Sequence, residues 1–393
     1  MNNPWTISQV TSGLTAVVVG YSSAVVIVID VAKRAGATDA MVVSWLLALG
    51  IGMGITCIAY SWLTKMPVVT AWSTPGAAFL IGSVEQYTLP ETIGAFFASA
   101  LLGIAAVQSR HLLSLIKRIP PAISAALLAG ILLPICLSIF SEIDTYPFII
   151  TLFLSVYIAG SRWFPRYLML VLLMLSLCIA SQLSDDFVIT AVTLPAPVWV
   201  TPDFSLSATI GLAVPLFLIT MLSQNLPGIA IHHAHGYFLD HKPVLTGIGV
   251  VQFALAGFGG FTFNLAAITA ALCMSEQVDS DKAQRYKAAI AAGIGYLLMG
   301  LCASVVVTLF VSMPVVIVHV LAGLALVSTL QSALARALET PTYQQPALLT
   351  FLCSASGFTL FSITSAVWGL ALGLLLLLAH KKRLDSTKVK RTH

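Results

Sequence analysis

The 393-residue chain is 58% hydrophobic and only 9% charged, where a soluble domain carries roughly 25% charged residues. That excludes a water-soluble fold, which needs far more charge to cover a surface of this size. No polar stretch is long enough for a catalytic domain outside a bilayer: the longest connection runs from Ser181 to Ser205, and the tail after His380 is short and basic.

In chain order, apolar runs at 11–29, 40–62, 66–83, 92–109, 120–140, 147–160, 167–183, 206–230, 244–257, 258–274, 288–311, 313–334, 344–360 and 361–380 predict an all-α polytopic membrane protein of about fourteen segments. The start, Met1 to Trp5, lacks a basic stretch and a cleavage site, so the first run is read as a retained helix. Asp30 closes that run with Lys33 and Arg34 three and four residues on. This spacing predicts a local ion pair; the other role open to Asp30 is carrying a proton.

Segment three does not read as plain helix. Met66-Pro67-Val68-Val69-Thr70 suits an extended chain, and Ser73 and Thr74 then precede Pro75 and Gly76, the order in which a helix begins. Segment eight ends in Ser223-Gln224-Asn225-Leu226-Pro227-Gly228, where a kink or a helix end is predicted. In segment ten, Gly257, Gly259 and Gly260 loosen the backbone before Phe261-Thr262-Phe263-Asn264 runs into an alanine-rich helix. Non-helical backbone at membrane depth is tolerated only inside protein or along a cavity. Matched broken segments in two halves point to a transporter's binding site, with ordinary bent helices as the alternative.

The two breaks are each third of seven, which predicts a 7+7 inverted repeat over 1–190 and 205–380. Segment twelve holds His319, about 9 Å into its helix counted from Met313, as a structural histidine or a proton relay. His232, His233, His235 and His241 are read as a solvated, pH-sensitive inner loop, because metal binding needs convergent geometry. The six cysteines are scattered in apolar runs without metal or disulfide spacing and read as small core residues.

With both termini in the cytoplasm of a bacterium, seventeen of the nineteen Lys and Arg fall on the inner side of its inner membrane, six of them in the 381–393 tail. Lys33 and Arg34 fall outside, where the connections hold Asp39, Glu85, Glu91, Glu142, Asp144, Asp185, Asp186 and Asp203. Miscounting one helix would scramble this asymmetry, so the positive-inside rule supports count and orientation together. Basic residues that track topology leave nothing to suggest nucleic-acid binding.

At Met66 to Ala78 the sequence resembles the benzoate transporter (BenE-type) family, whose members carry a similar P-V-x-T-A-W-S-T-P-G-A-A run. Gly20 to Ala24, Ser223 to Gly228, Ala266 to Ala271, Leu321 to Ala325 and Ser365 to Gly369 match as well, so the similarity spans nearly the whole chain. The resemblance implies the fold of the uracil and nucleobase–ascorbate transporters and the sulfate-type anion carriers. It implies a core domain from 9–110 and 205–312 moving against a gate domain from 119–184 and 313–380, and proton-coupled uptake of an aromatic acid. Chains of this fold often form homodimers, although no interface is legible here. Nucleobase carriers of the fold typically hold acids in the eighth and tenth helices; here those places offer Gln224 and Asn225, then Phe261, Thr262 and Asn264.

Two half-helices meeting at midplane present unpaired N–H groups and about half a positive charge each, which with no acid nearby suits a carboxylate. Ser73 and Thr74 are expected to cap one end, Thr262 and Asn264 the other. Phe261, Phe263 and Trp72 would form an apolar wall, and Tyr21 with Ser22 would close the site from helix one. For each, the bland alternative is a cap or an interhelical bond; for Gln224 and Asn225 it is holding the break together. Importing an anion against about 100 mV costs about 2.3 kcal/mol, which one accompanying proton removes. A nucleobase or inorganic anion carrier and an anion channel are the competing functions. No nucleophile–base pair, metal motif or phosphate loop suggests an enzyme, and no cofactor is expected.

Overall fold

The computed structural model describes residues 5–183, 194–361 and 363–389; Asp185, Asp186 and the end of the tail lie outside the described residues. Helix α1 (Ile7–Ser22) begins in a capping box, Thr6 accepting from the Gln9 N–H at 3.2 Å while the Gln9 side chain accepts from the Thr6 N–H at 3.1 Å. The first apolar run is not one helix, for the chain breaks at Ser23–Ala24 and resumes as α2 (Val25–Arg34). Helix α3 (Asp39–Thr64) leads into β1 (Thr70–Trp72) and the half-helix α4 (Thr74–Ile81). Then come α5 (Leu89–Gln108), a short helix α6 (Arg110–Lys117) that hydropathy did not predict, α7 (Pro121–Leu137), α8 (Pro147–Trp163) and α9 (Leu168–Leu183).

The second half opens with α10 (Leu206–Ala234), which continues through Pro227 instead of ending there. Two π-helical turns, Thr209–Ala213 and Met221–Asn225, take up the strain. The helix α11 (His241–Leu255), β2 (Phe263–Leu265) and the half-helix α12 (Ile268–Met274) repeat the helix–strand–half-helix order of the first half. After α13 (Tyr286–Leu301) the chain bends by 57° into α14 (Ala303–Val311) and continues as α15 (Val315–Leu338). The last two predicted segments are separated by a hairpin of β3 (Thr359–Leu360) and β4 (Ile363–Thr364) that follows α16 (Gln344–Ala355). Helix α17 (Ser365–Val389) runs past the predicted end at His380.

Six helices of the described residues are long and apolar enough to cross a membrane, seven if the bent pair counts as one. Helix length by itself therefore does not reach fourteen spans. The inverted repeat is visible in the packing: α3 lies against α13 as α11 lies against α5, and α7 pairs with its counterpart α15. The α3–α13 contact is backbone on backbone. A Cβ on Gly50 would come within 2.6 Å of the Gly300 Cα. Small residues let membrane helices approach this closely, and overpacking costs about 1–3 kcal/mol. Gly50→Leu is expected to lower the melting temperature in detergent and raise the aggregated fraction on size exclusion; a variant as stable as the parent would show that the helices separate without penalty.

Strand β1 is anchored to α3 by hydroxyls. Thr70 and Thr56 share a 2.5 Å hydrogen bond, Thr70 Oγ1 donates to the Met53 carbonyl at 3.2 Å, and Ser61 Oγ donates to the Val68 carbonyl at 3.0 Å. Extended backbone at this depth has no water to turn to, so such bonds are what make it tolerable.

Candidate functional site

The two broken segments pair with each other. β1 and β2 form an antiparallel ribbon in the register Thr70 with Leu265, Ala71 with Asn264 and Trp72 with Phe263. It is extended by the Ser73 N–H donating to the Thr262 carbonyl and the Ala266 N–H to the Val69 carbonyl, both at 2.9 Å. Antiparallel pairing sends α4 and α12 out of opposite ends of the ribbon. The expectation that their N-termini meet tip to tip is therefore corrected: they flank the ribbon.

Ser73 caps α4 as expected, its Oγ accepting from the Gly76 N–H at 3.1 Å and from the Thr220 hydroxyl at 3.0 Å. Thr74 is the first helical residue, not a cap, and Pro75 has no N–H to offer. At the other end Thr262 and Asn264 do not cap α12, whose N-cap position is Ala267 with no side-chain bond. Asn264 Nδ2 instead donates to the Leu265 carbonyl at 3.1 Å. Its Oδ1 and the Thr262 hydroxyl are buried without a hydrogen-bond partner among the described residues.

Asn225 sits in the second π-helical turn and reaches across forty residues of sequence, its Oδ1 accepting from the Leu265 N–H at 2.9 Å. The neighbouring Gln224 is half-buried, and its side chain makes no hydrogen bond among the described residues. Helix α7 packs against both α4 and this turn. Of two adjacent amides, one is committed to the ribbon and the other is free.

A cavity of about 30 Å³ adjoins the ribbon, lined among others by Ser99, Thr220, Asn225, Gln252, Thr262 and Phe263. A cavity that holds benzene measures roughly 150 Å³, so an aromatic ring does not fit here without movement. Of the predicted wall, only Phe263 lines this space. Phe261 is fully buried against Trp45 and Phe96, at ring distances of 6.3 and 5.9 Å. Trp72 packs on Tyr21 at 5.1 Å, joining the ribbon to the break after α1; the Tyr21 hydroxyl has no partner, and Ser22 bonds weakly to the Val19 carbonyl at 3.5 Å.

Both predicted proton groups are engaged. Asp30 accepts from Arg34 at 3.0 Å, and Arg34 also reaches Glu85 at 2.8 Å, while Lys33 pairs with Asp39. His319 is nearer its helix end than predicted, because α15 starts at Val315, and its Nδ1 lies 3.1 Å from Glu142. The histidine cluster is not one solvated loop: His233 is exposed, but His232 is 0% exposed in the last turn of α10. Sequence reasoning overlooked Thr220, Ser99 and Gln252. The available signal was that each is a lone polar residue inside an apolar helix, where a partner or a function is expected.

A family model described as benzoate membrane transport protein matches residues 3–378. The chain is 39% identical to the inner membrane protein YdcO of Escherichia coli (strain K12) over 367 residues, 92% of this chain and 93% of that one. It is 35% identical to the benzoate membrane transport protein of Acinetobacter baylyi over 381 residues, 95% of each. Among solved structures it resembles the transmembrane domain of the cyanobacterial bicarbonate transporter BicA (TM-score 0.59, 13% identity, 94% of this chain and 97% of that one). It also resembles SLC26A9 (TM-score 0.60, 13% identity, 94% of this chain), of which it spans 65%. These two likenesses show the fold.

Proposed function

The chain belongs to the benzoate membrane transport protein family, a family of membrane transporters and not enzymes, and we propose that it imports benzoate or a similar aromatic carboxylate together with a proton. The observation that carries this reading is the neutral polar ribbon at membrane depth. Hydroxyls and amides surround the start of α4, and no carboxylate lies in the ribbon or in the π-helical turn beside it. An anion near a helix N-terminus gains roughly 0.3–1 kcal/mol exposed and up to about 2 when partly buried.

The carboxylate is held beside the first turn of α4, by the Thr74 backbone and the Gln224 amide, on the two elements that α7 packs against. Ser73, Thr220, Thr262 and Asn225 behind them keep the ribbon in shape. Helices α1–α5 and α10–α14 form a core domain that moves against a gate of α7–α9 and α15–α17, a division supported by α15 and α16 packing on α7. Both termini lie in the cytoplasm, and the membrane is the bacterial inner membrane.

The test is uptake of labelled benzoate into proteoliposomes with and without an inward proton gradient, competed by unlabelled salicylate, uracil and sulfate. Gradient-driven uptake blocked by salicylate alone is the expected result. Competition by uracil or sulfate would move the cargo to a nucleobase or an inorganic anion, and large unitary currents in a planar bilayer would make the protein a channel.

A further inference from the structure

Proton-coupled uptake needs a group that titrates near neutral pH and is joined to the part of the protein that binds substrate. Asp30 and His319 are held by Arg34 and Glu142. His232 lies seven residues beyond Asn225 on the same helix and is wholly buried. Its Nδ1 is 2.8 Å from the Gly228 carbonyl, the Pro67 carbonyl borders the ring, and Nε2 makes no well-aligned hydrogen bond among the described residues.

A neutral imidazole has one N–H and one lone pair, whereas an imidazolium donates from both nitrogens. Between two carbonyls the neutral ring satisfies one and turns a lone pair towards the other. Both carbonyls belong to backbone that carries the ribbon. Pro67 stands just ahead of β1, and Gly228 is pressed on β2, where a Cβ would sit 2.6 Å from the Leu265 Cβ and 2.8 Å from its carbonyl oxygen. A proton arriving at His232 therefore acts on both strands at once.

We propose that His232 is the proton-binding residue of the transport cycle, a proposal that rests on the proton-coupled reading above. One proton from the outer solution binds the ring as one carboxylate binds at the ribbon, and both leave to the cytoplasm, so the cycle carries no net charge. The ionisable groups acting on the ring are His233 and His235 on its own helix; the His232 carbonyl accepts from the Tyr237 N–H at 2.8 Å, and the Tyr237 hydroxyl is faced by Arg285 and Asp281. No acid acts on the ring itself, and in this proposal the anion that balances an imidazolium is the substrate. Eight residues place His232 about 12 Å along the helix from Gln224. At that distance and an effective dielectric constant of about 20, attraction strengthens anion binding roughly tenfold. By linkage, substrate strengthens proton binding by the same factor.

The experiment compares wild type with His232→Gln and His232→Asn in proteoliposomes, and measures benzoate binding in detergent across the histidine titration range. Wild type is expected to accumulate benzoate on a proton gradient and to bind it roughly tenfold more tightly on the acid side. The variants are expected to exchange benzoate across the membrane, which shows them folded, yet to lose gradient-driven accumulation and to bind with little pH dependence. A wild type that accumulates benzoate without drawing on protons overturns the proton-coupled reading and the assignment with it. A proton-dependent wild type beside variants that accumulate equally well, or bind with the same pH dependence, overturns the His232 assignment alone.

Discussion

Gln224→Glu is expected to lower benzoate uptake more than a hundredfold while leaving the protein folded in the membrane. Gln224 is half-buried and makes no hydrogen bond among the described residues, so exchanging its amide for a carboxyl breaks no interaction. The electrostatic consequence is large. Two carboxylates about 5 Å apart repel by roughly 3 kcal/mol at an effective dielectric constant near 20, and each 1.4 kcal/mol is tenfold in binding. Uptake is expected to recover partly as the pH falls and the introduced carboxyl takes up a proton, since the neutral acid no longer repels. A neutral base such as uracil meets no such repulsion, so parallel initial rates for benzoate and uracil separate the two kinds of cargo. Benzoate uptake by this variant at the wild-type rate would place the carboxylate away from Gln224.

The breaks in segments three and ten were legible because their cause is local. Proline removes a donor and fixes φ, glycine loosens the backbone, and Ser73 ahead of Pro75 is a helix start whatever surrounds it. The repeat was legible because charge distribution and the spacing of the breaks do not depend on packing. What sequence did not show is set by distant contacts. The break at Ser23–Ala24 has neither proline nor glycine at it, and Trp72 on Tyr21 joins its neighbourhood to the ribbon. Pro227 reads as a kink or an end in α10, and a π-helical turn just before it absorbs the missing N–H and keeps the helix running. The antiparallel register, which carries the half-helix starts apart, depends on pairing between strands nearly two hundred residues distant. His232 looked solvated beside its polar neighbours, yet it is 0% exposed, with the chain ahead of β1 bordering its ring. Distant contacts also divided the predicted polar residues: Asn225 Oδ1 and Asn264 Nδ2 bond to the ribbon backbone, while the Thr262 hydroxyl and the Asn264 Oδ1 are buried without a partner among the described residues.

Asn225→Ala is expected to lower stability and uptake together, and the comparison with its neighbour makes the cause readable. β2 is one of two strands, so its outer edge has no third strand to bond, and the Asn225 side chain supplies the acceptor for the Leu265 N–H at 2.9 Å. Removing it leaves a buried donor unpaired, which costs about 1–3 kcal/mol, and at membrane depth no water is at hand to replace it. The melting temperature in detergent should fall, and transport by the protein that remains folded should fall further, because the strand that loosens is the one leading into α12. Gln224→Ala, one residue away on the same turn, removes an amide with no partner and is expected to leave the melting temperature unchanged while weakening benzoate binding. If both alanine variants lost stability equally, the turn as a whole would be holding the helix. If neither did, the Asn225 bond would not be what keeps the ribbon in place.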